Sequence, residues 1–196
     1  MVGEQNNVQV LLGEVTTVNP EGKQIVFNGK AYSYDHLILA TGSGSTYFGH
    51  EDWRTFAPPM KILEHAEEIR RRLLMAMEQA EQTPNPEGRL FLQTVVIVGA
   101  GPSGCEMVGA VSELMRWALN KAFKQLDPKK TRIILVNPGD RGLRARPEER
   151  SEAALRDLQR DGIEVMPQGR VQTMRPGEVL ISSPDGDIRV QAASVI

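Results

Sequence analysis

The chain has 196 residues, 40% of them hydrophobic and 24% charged, and its formal net charge of −2 comes with acidic and basic residues interspersed, which argues against nucleic acid as the main partner. The single cysteine, Cys105, excludes an intramolecular disulfide and any CxxC redox or zinc site within this chain. No run approaches the roughly 18 apolar residues needed to span a bilayer, and residues 1–10 lack the pattern of a signal peptide.

Short β-rich runs separated by turn residues fill the first 40 residues. We predict strands over residues 8–12, 13–18, 23–27 and 31–35. The turns between them are expected at residues 19–22 and at Asn28-Gly29. The apolar run Leu37–Ala40 is stopped by Thr41-Gly42, which is typical of a buried, parallel strand.

A loop over residues 47–59, carrying Trp53, precedes a predicted helix from Ile62 to about Gln82, where apolar residues recur at spacings of three and four. We expect the arginines at 70–72 on its solvated face. Residues 83–88 contain two prolines and a glycine and should break the helix.

Strands and helices alternate through the rest of the chain, which indicates an α/β fold with a parallel sheet. We predict strands at 91–98, 132–136 and 163–166, with helices at 105–125 and 147–161 between them. An antiparallel meander is expected at 171–174, 178–182 and 188–191, and a further strand begins at 193–196.

The turn Gly99-Ala100-Gly101-Pro102-Ser103-Gly104 follows an apolar strand and opens a long helix. In a dinucleotide-binding βαβ unit the first glycine allows the tight turn, the second lets the backbone approach a pyrophosphate, and the third lets the helix pack closely on the strand. Free amides and the positive end of the helix dipole then face the anion. We therefore predict that this turn binds the pyrophosphate of NADH; the alternative is a glycine-rich turn that binds nothing.

The residue after the second strand of such a unit usually contacts the ribose through a carboxylate. Here that residue is Asn137, which can hydrogen-bond a hydroxyl but carries no charge to repel a 2′-phosphate, while Arg141 and Arg144 lie close in sequence. The preference for NAD over NADP stays open. So does the alternative that Asn137 only starts a turn.

Four segments together resemble the type II NADH:quinone oxidoreductases within the two-dinucleotide-fold flavoproteins. They are residues 34–42, 63–74, 96–114 and 134–141. The resemblance implies a Rossmann-like three-layer NAD(P)-binding domain with a β-meander, over residues 58–196 and incomplete at its last strand. It also implies that residues 1–57 are the β-rich tail of an FAD-binding domain, whose first glycine motif this sequence lacks.

The resemblance also implies the cofactors FAD and NAD. Ala40, Thr41 and Gly42 are then expected beside the flavin, although they could be only a strand-ending turn. Glu106 is expected near the meeting point of flavin, nicotinamide and quinone, where it could take part in proton movement as the catalytic residue. The alternative for Glu106 is a first-turn glutamate that stabilises the helix dipole.

Other residues have simpler interpretations. Cys105 could have a pKa lowered by the helix N-terminus, but a small core residue is the more common role. Trp117 and Phe123 should pack within the helical layer. The histidines lack metal-ligand spacing, so no metal is predicted.

The predicted parent protein is a flavin-dependent NADH dehydrogenase that passes hydride from NADH to FAD and electrons to a quinone. Its family usually has glutamate at the position of Asn137. We expect this chain to be cytoplasmic. The parent protein is expected to lie peripherally on the cytoplasmic face of the inner membrane, which it would contact only through regions missing here. The parent could also be a homodimer. This chain alone is expected to be inactive. One alternative is that it is a truncated, non-catalytic nucleotide-binding domain. The other is that it belongs to a related oxidoreductase whose electron acceptor is ferredoxin, oxygen or a disulfide.

Overall fold

The computed structural model describes residues 5–140 and 147–196, and the chain divides into two compact units, Met1–Ser43 and Gly44–Ile196. The described part of the first unit contains three antiparallel strands in the order β1-β2-β3. Their bounds are Val15–Asn19, Gln24–Phe27 and Lys30–Ser33. Asn28 and Gly29 have φ values of +47° and +76°, which is the backbone that a two-residue hairpin turn requires. Three of the predicted strands and this turn are confirmed.

Two predicted strands of the first unit are wrong. Residues 8–12 form no strand in the described structure, and Leu12 is 99% exposed. Residues 37–40 form none either, and Ile38 is 89% exposed instead of buried. A strand needs a hydrogen-bonding neighbour along its length, and the described residues supply none to either run.

The second unit is built on a parallel sheet of four strands in the order β10-β4-β5-β6. Strand β4 is Thr94–Val98, β5 is Arg132–Val136, β6 is Glu164–Met166 and β10 is Ser194–Val195. The first strand in sequence, β4, therefore lies between β5 and β10. The chain passes from β4 to β5 on one side, and β10, which follows the last three antiparallel strands, pairs with β4 on the other side. This change in strand order is the topological switch point where open α/β sheets bind ligands.

Four α-helices of the described chain accompany this sheet: α1 at Leu63–Gln82, α2 at Pro86–Leu92, α3 at Pro102–Lys121 and α4 at Glu148–Arg160. Helices α1 and α4 confirm the predicted periodicity. Helix α3 begins three residues before the predicted start, because Pro102 fits the first helical position.

Helix α2 was not predicted, because residues 83–88 were expected to be only a helix breaker and residues 91–98 to be one long strand. Instead, the Asn85 side chain accepts a hydrogen bond from the Glu87 amide at 3.0 Å, and Pro86 follows at the first helical position. The same residues that stop α1 thus start α2. Strand β4 consequently begins only at Thr94.

Three further strands form the predicted antiparallel meander, in the order β7-β8-β9. Their bounds are Arg170–Arg175, Glu178–Ser183 and Gly186–Gln191. Gly177 and Gly186 take left-handed φ values of +77° and +117° at the two turns.

Side chains of the parallel sheet alternate between two cores. Val95, Ile97 and Leu135 face the buried residues of α1 and α3. Val96 and Ile134 face the buried residues of the meander, together with Ala57. The predicted three-layer domain with a β-meander is confirmed. The structure adds that the helices cover one face of the parallel sheet and the meander covers the other.

The two aromatic residues that were expected to pack within the helical layer differ in their burial. Phe123 packs against the helical core, as predicted. Trp117 is 56% exposed, and the Lys121 ammonium lies 5.5 Å from its ring centroid, so the packing prediction for Trp117 is wrong. Periodicity places a side chain on a helix face, but it does not say whether another element covers that face.

Candidate functional site

The glycine turn after β4 has the backbone that its sequence requires. Gly99 has a left-handed φ of +105°, a conformation that side chains other than glycine rarely adopt. A Cβ on Gly104 would lie 1.8 Å from the Gly99 carbonyl oxygen, so only glycine allows α3 to approach the end of β4 this closely. Ala100, between them, is buried with the helical core.

The N-terminus of α3 is open. Gly101 is the residue before the helix, and no described atom lies within 4 Å of where its Cβ would be. No described side chain caps this end, and Pro102 has no amide hydrogen. The amides of Ser103 and Gly104 therefore have no acceptor within the helix, and the helix dipole adds partial positive charge.

This end of α3 borders a cleft of about 340 Å³ at the carboxyl end of β4. Its floor and helical side are formed by Val98, Gly99, Ser103, Gly104 and Met107. The described residues that line it include no Asp, Glu, Lys, Arg or His, and most of them are apolar or aromatic. An anion held here would be bound by backbone amides, and its neighbours would be uncharged.

The opposite wall is a loop whose role the sequence did not predict. Residues 45–48, Trp53 and residues 57–60 line the cleft, and the loop contains a 3₁₀ helix at Glu51–Thr55. The Trp53 ring stacks on His50, with centroids 4.1 Å apart and planes 9° apart. One signal was present in the sequence, because four of the ten aromatic residues (two Trp, three Tyr and five Phe in all) fall between residues 47 and 56.

Glu106 is the fifth residue of α3 and is exposed, so the alternative that made it a first-turn residue is wrong. It is not among the residues that line the cleft. Its neighbour Cys105 is half-buried against the helical core, and burial, with a further effect from the Glu106 carboxylate, raises the pKa of the thiol. The core interpretation of Cys105 is confirmed, and the lowered pKa is wrong.

Asn137 lies directly after β5 and is buried. Its side-chain Nδ2 donates a hydrogen bond to the Gly139 carbonyl at 3.0 Å, and its own carbonyl accepts one from the Gly169 amide. The side chain is therefore engaged in the turn that it starts. Arg141 and Arg144, which could attract a 2′-phosphate, lie outside the described residues.

Ala40, Thr41 and Gly42 belong to the first unit and are exposed there. Gly42 has a left-handed φ of +75°, and no described atom lies within 4 Å of where its Cβ would be. The segment therefore presents exposed, open backbone, and no turn or strand is formed at residues 40–42. The glycine turn and its cleft belong wholly to the second unit.

Neither a metal-binding cluster nor a membrane-spanning helix is found in residues 5–140 and 147–196. No group of three or more His, Cys, Asp or Glu residues in these ranges could hold a metal ion. None of the helices described there is both long enough and apolar enough to cross a membrane.

Comparisons with known proteins agree with this geometry. The family model described as pyridine nucleotide-disulphide oxidoreductase matches residues 2–196. The type II NADH:quinone oxidoreductase Ndh of Mycobacterium tuberculosis is 38% identical over 190 residues, which cover 95% of this chain and 41% of Ndh. NdhA of the same organism, also named a type II NADH:quinone oxidoreductase, is 34% identical over 94% of this chain and 40% of its own length.

Among solved structures, NDH2 of Plasmodium falciparum in complex with NADH has a TM-score of 0.77 at 21% identity. The match covers 95% of this chain and 39% of that one, and at this identity it shows a shared fold. The chain thus spans about two-fifths of the length of the curated relatives it matches.

Proposed function

This chain belongs to the pyridine nucleotide-disulphide oxidoreductase family, and from that premise we propose that it carries the NADH-binding part of a flavin-dependent NADH dehydrogenase. In the proposed parent, NADH would be the hydride donor and a quinone the final electron acceptor, and FAD, when bound, would carry the electrons between them. The relatives named type II NADH:quinone oxidoreductase support this substrate and acceptor.

The open N-terminus of α3 is the observation that carries the proposal. The amides of Ser103 and Gly104 would donate hydrogen bonds to the diphosphate of NADH, and the bare backbone at Gly101 would let it approach. The uncharged cleft beside this turn would receive the nicotinamide end and exclude water from it. The sheet's switch point at β4 is the place where such a ligand is expected.

Toward FAD the chain offers the exposed backbone at Thr41 and Gly42. Its left-handed glycine and open surroundings fit the close approach of a flat ring to backbone. When bound, FAD would supply the acceptor for the hydride of NADH.

Glu106 is proposed to take part in proton movement on the acceptor side. Its carboxylate is exposed on α3, two residues beyond Gly104 and three beyond Ser103, whose amides would hold the diphosphate. A carboxylate in the first turn would repel that anion, and this position reduces the conflict. We expect Glu106→Gln in the parent enzyme to lower quinone turnover more than flavin content.

A disulfide acceptor within this chain is disfavoured, because its single thiol is half-buried and has a raised pKa. Asn137, buried and neutral, would place no negative charge near the ribose, so we propose weak discrimination between NADH and NADPH. The membrane contact, the homodimer and the cytoplasmic location of the parent stay proposals that depend on its other regions.

The experiment that tests the proposal is a calorimetric titration of the 196-residue chain with NADH, in the wild type and in Gly101→Val. Valine fits the backbone at this position, where φ is −73° and ψ is −179°, so the fold should be kept. Its side chain would fill the place of the diphosphate, and we expect affinity to fall by at least about 100-fold, or about 2.7 kcal/mol.

Gly109→Ala is the matched control. Gly109 lies in the same helix and is exposed, and the methyl group of an alanine there would meet no atom of a described neighbouring element within 4 Å. NADH affinity should therefore be unchanged in this variant. Undiminished affinity in Gly101→Val, with circular dichroism showing a native fold, would refute the proposed cradle.

A further inference from the structure

Three consecutive backbone carbonyls in the loop that walls the cleft are held by two side chains. Arg72, on α1, donates from Nη1 to the carbonyl of Thr55 at 3.2 Å and to that of Phe56 at 3.0 Å. The Tyr47 hydroxyl donates to the carbonyl of Ala57 at 2.5 Å. These carbonyls end the 3₁₀ helix that carries Trp53 into the cleft wall.

Arg72 is itself held in place. Its Nε donates to Glu68 Oε1 at 2.7 Å, one helical turn earlier on α1, and the side chain is one-third exposed. Arg71 also pairs with Glu68, at 2.7 and 2.9 Å, but it is 59% exposed and makes no hydrogen bond to the described residues of the loop. Both arginines thus pair with Glu68, but only Arg72 also donates hydrogen bonds to carbonyls of the loop.

Tyr47 is fixed from its other side by Arg54, whose guanidinium carbon lies 4.9 Å from the ring centroid. The loop also closes on itself, since the amides of Phe56 and Ala57 both donate to the Trp53 carbonyl. Phe56 and Trp53 pack on the core shared with the meander. Hydrogen bonds and packing within residues 47–57 therefore hold the Trp53 ring in place, and Arg72 holds this loop from α1.

We infer that Arg72 is a positioning residue for NADH: it holds residues 53–57 so that Trp53 and Tyr47 form a preorganised wall opposite the glycine turn. The inference rests on the proposed function, because that function makes NADH the occupant of the cleft. A loop that is already ordered loses little conformational entropy when the ligand binds. A loop that is released must be ordered on binding, and the entropy lost in doing so lowers the affinity.

The test compares Arg72→Met with Arg71→Met, both in a Trp117→Phe background. Each variant removes one guanidinium from Glu68, but only Arg72→Met releases the carbonyls of Thr55 and Phe56. The chain has two tryptophans, so the background leaves Trp53 as the sole one. Its emission maximum and its quenching by acrylamide report the order of the wall without ligand, and energy transfer from Trp53 to NADH reports binding.

In Arg72→Met we expect a red-shifted, more readily quenched Trp53 and an NADH dissociation constant raised about tenfold. Arg71→Met should leave the emission maximum and quenching of Trp53 as in the background, and the NADH dissociation constant within about twofold of it. Tyr47→Phe is a milder variant that removes one hydroxyl, and it should shift both readouts in the same direction by a smaller amount. Equal effects of Arg71→Met and Arg72→Met, or a native-like Trp53 in Arg72→Met, would overturn the inference.

The two proposals fail in different ways. If the background protein does not bind NADH, the proposed function fails, while the ligand-free Trp53 signals still decide whether Arg72 orders the wall. If the background binds NADH and Arg72→Met binds equally well, the positioning role fails and the proposed function stands.

Discussion

Two segments of this chain look alike in sequence and differ in the structure. Leu37–Ala40 and Thr94–Val98 are both apolar runs, and a glycine-containing segment follows each. The second is β4, hydrogen-bonded to β5 and β10 and covered on both faces. The first forms no strand within the described residues, and Ile38 and Leu39 are 89% and 66% exposed.

The difference shows what turns a glycine-rich bend into a candidate binding site. At Gly99 the bend is fixed by its amide, which donates to the Val136 carbonyl at 2.8 Å, and by the helix that follows. At Gly42 the backbone has a similar left-handed φ, but neither a strand nor a helix of the described structure adjoins it. A local motif supplies the conformation, and its neighbours in the sheet supply the rigidity.

The largest expected effect comes from truncating one isoleucine in each of the two apolar runs. Ile97→Ala, in β4 and 2% exposed, should lower the free energy of unfolding by about 2–5 kcal/mol, because it leaves a cavity in the helical core. Ile38→Ala should change it by less than about 0.5 kcal/mol, because that side chain is already in solvent. Urea denaturation of both variants measures this, and a similar loss in the two would show that residues 37–40 are packed in solution.

A second, smaller contrast concerns the glycines. Gly104→Ala would bring a Cβ within 1.8 Å of the Gly99 carbonyl oxygen, and we expect a loss of about 3 kcal/mol as α3 is pushed from β4. Gly42→Ala meets no described atom within 4 Å and should cost about 1–2 kcal/mol, from its left-handed backbone alone. Thermal unfolding of the pair provides the measurement, and a larger loss in Gly42→Ala would reverse our account of the two glycines.

The smallest effect concerns the ion pair that orients Arg72. Hydrogen bonds from Arg71 and Arg72 lower the pKa of Glu68 from 4.5 to about 2. Because the folded-state pKa is lowered, the contribution to stability is present above about pH 4.5 and is lost as the pH falls toward 2. The difference in unfolding midpoint between wild type and Glu68→Gln should therefore be larger at about pH 6 than at about pH 3, and a difference that does not depend on pH would contradict this.

Much of the second unit could be predicted from particular residues. The apolar run before Gly99, the spacing of glycines through Gly104 and the turn at Gly177 each act through local backbone requirements. The short helix α2 was missed because Asn85 and Pro86 stop one helix and start the next, and a breaker signal does not say which. The aromatic wall was missed because the loop that carries Trp53 is held by carbonyl contacts with Arg72, which lies 16 and 17 residues from those carbonyls along the chain.

The sequence by itself determined the order of most strands and helices in the second unit and the position of the glycine turn between β4 and α3. It did so because hydrophobic periodicity and the backbone freedom of glycine are local properties. Only the tertiary structure decided which apolar runs became strands, that Asn137 is engaged in its own turn, and which loop faces the glycine turn across the cleft. These outcomes depend on contacts between segments far apart in the chain, and no local pattern encodes them.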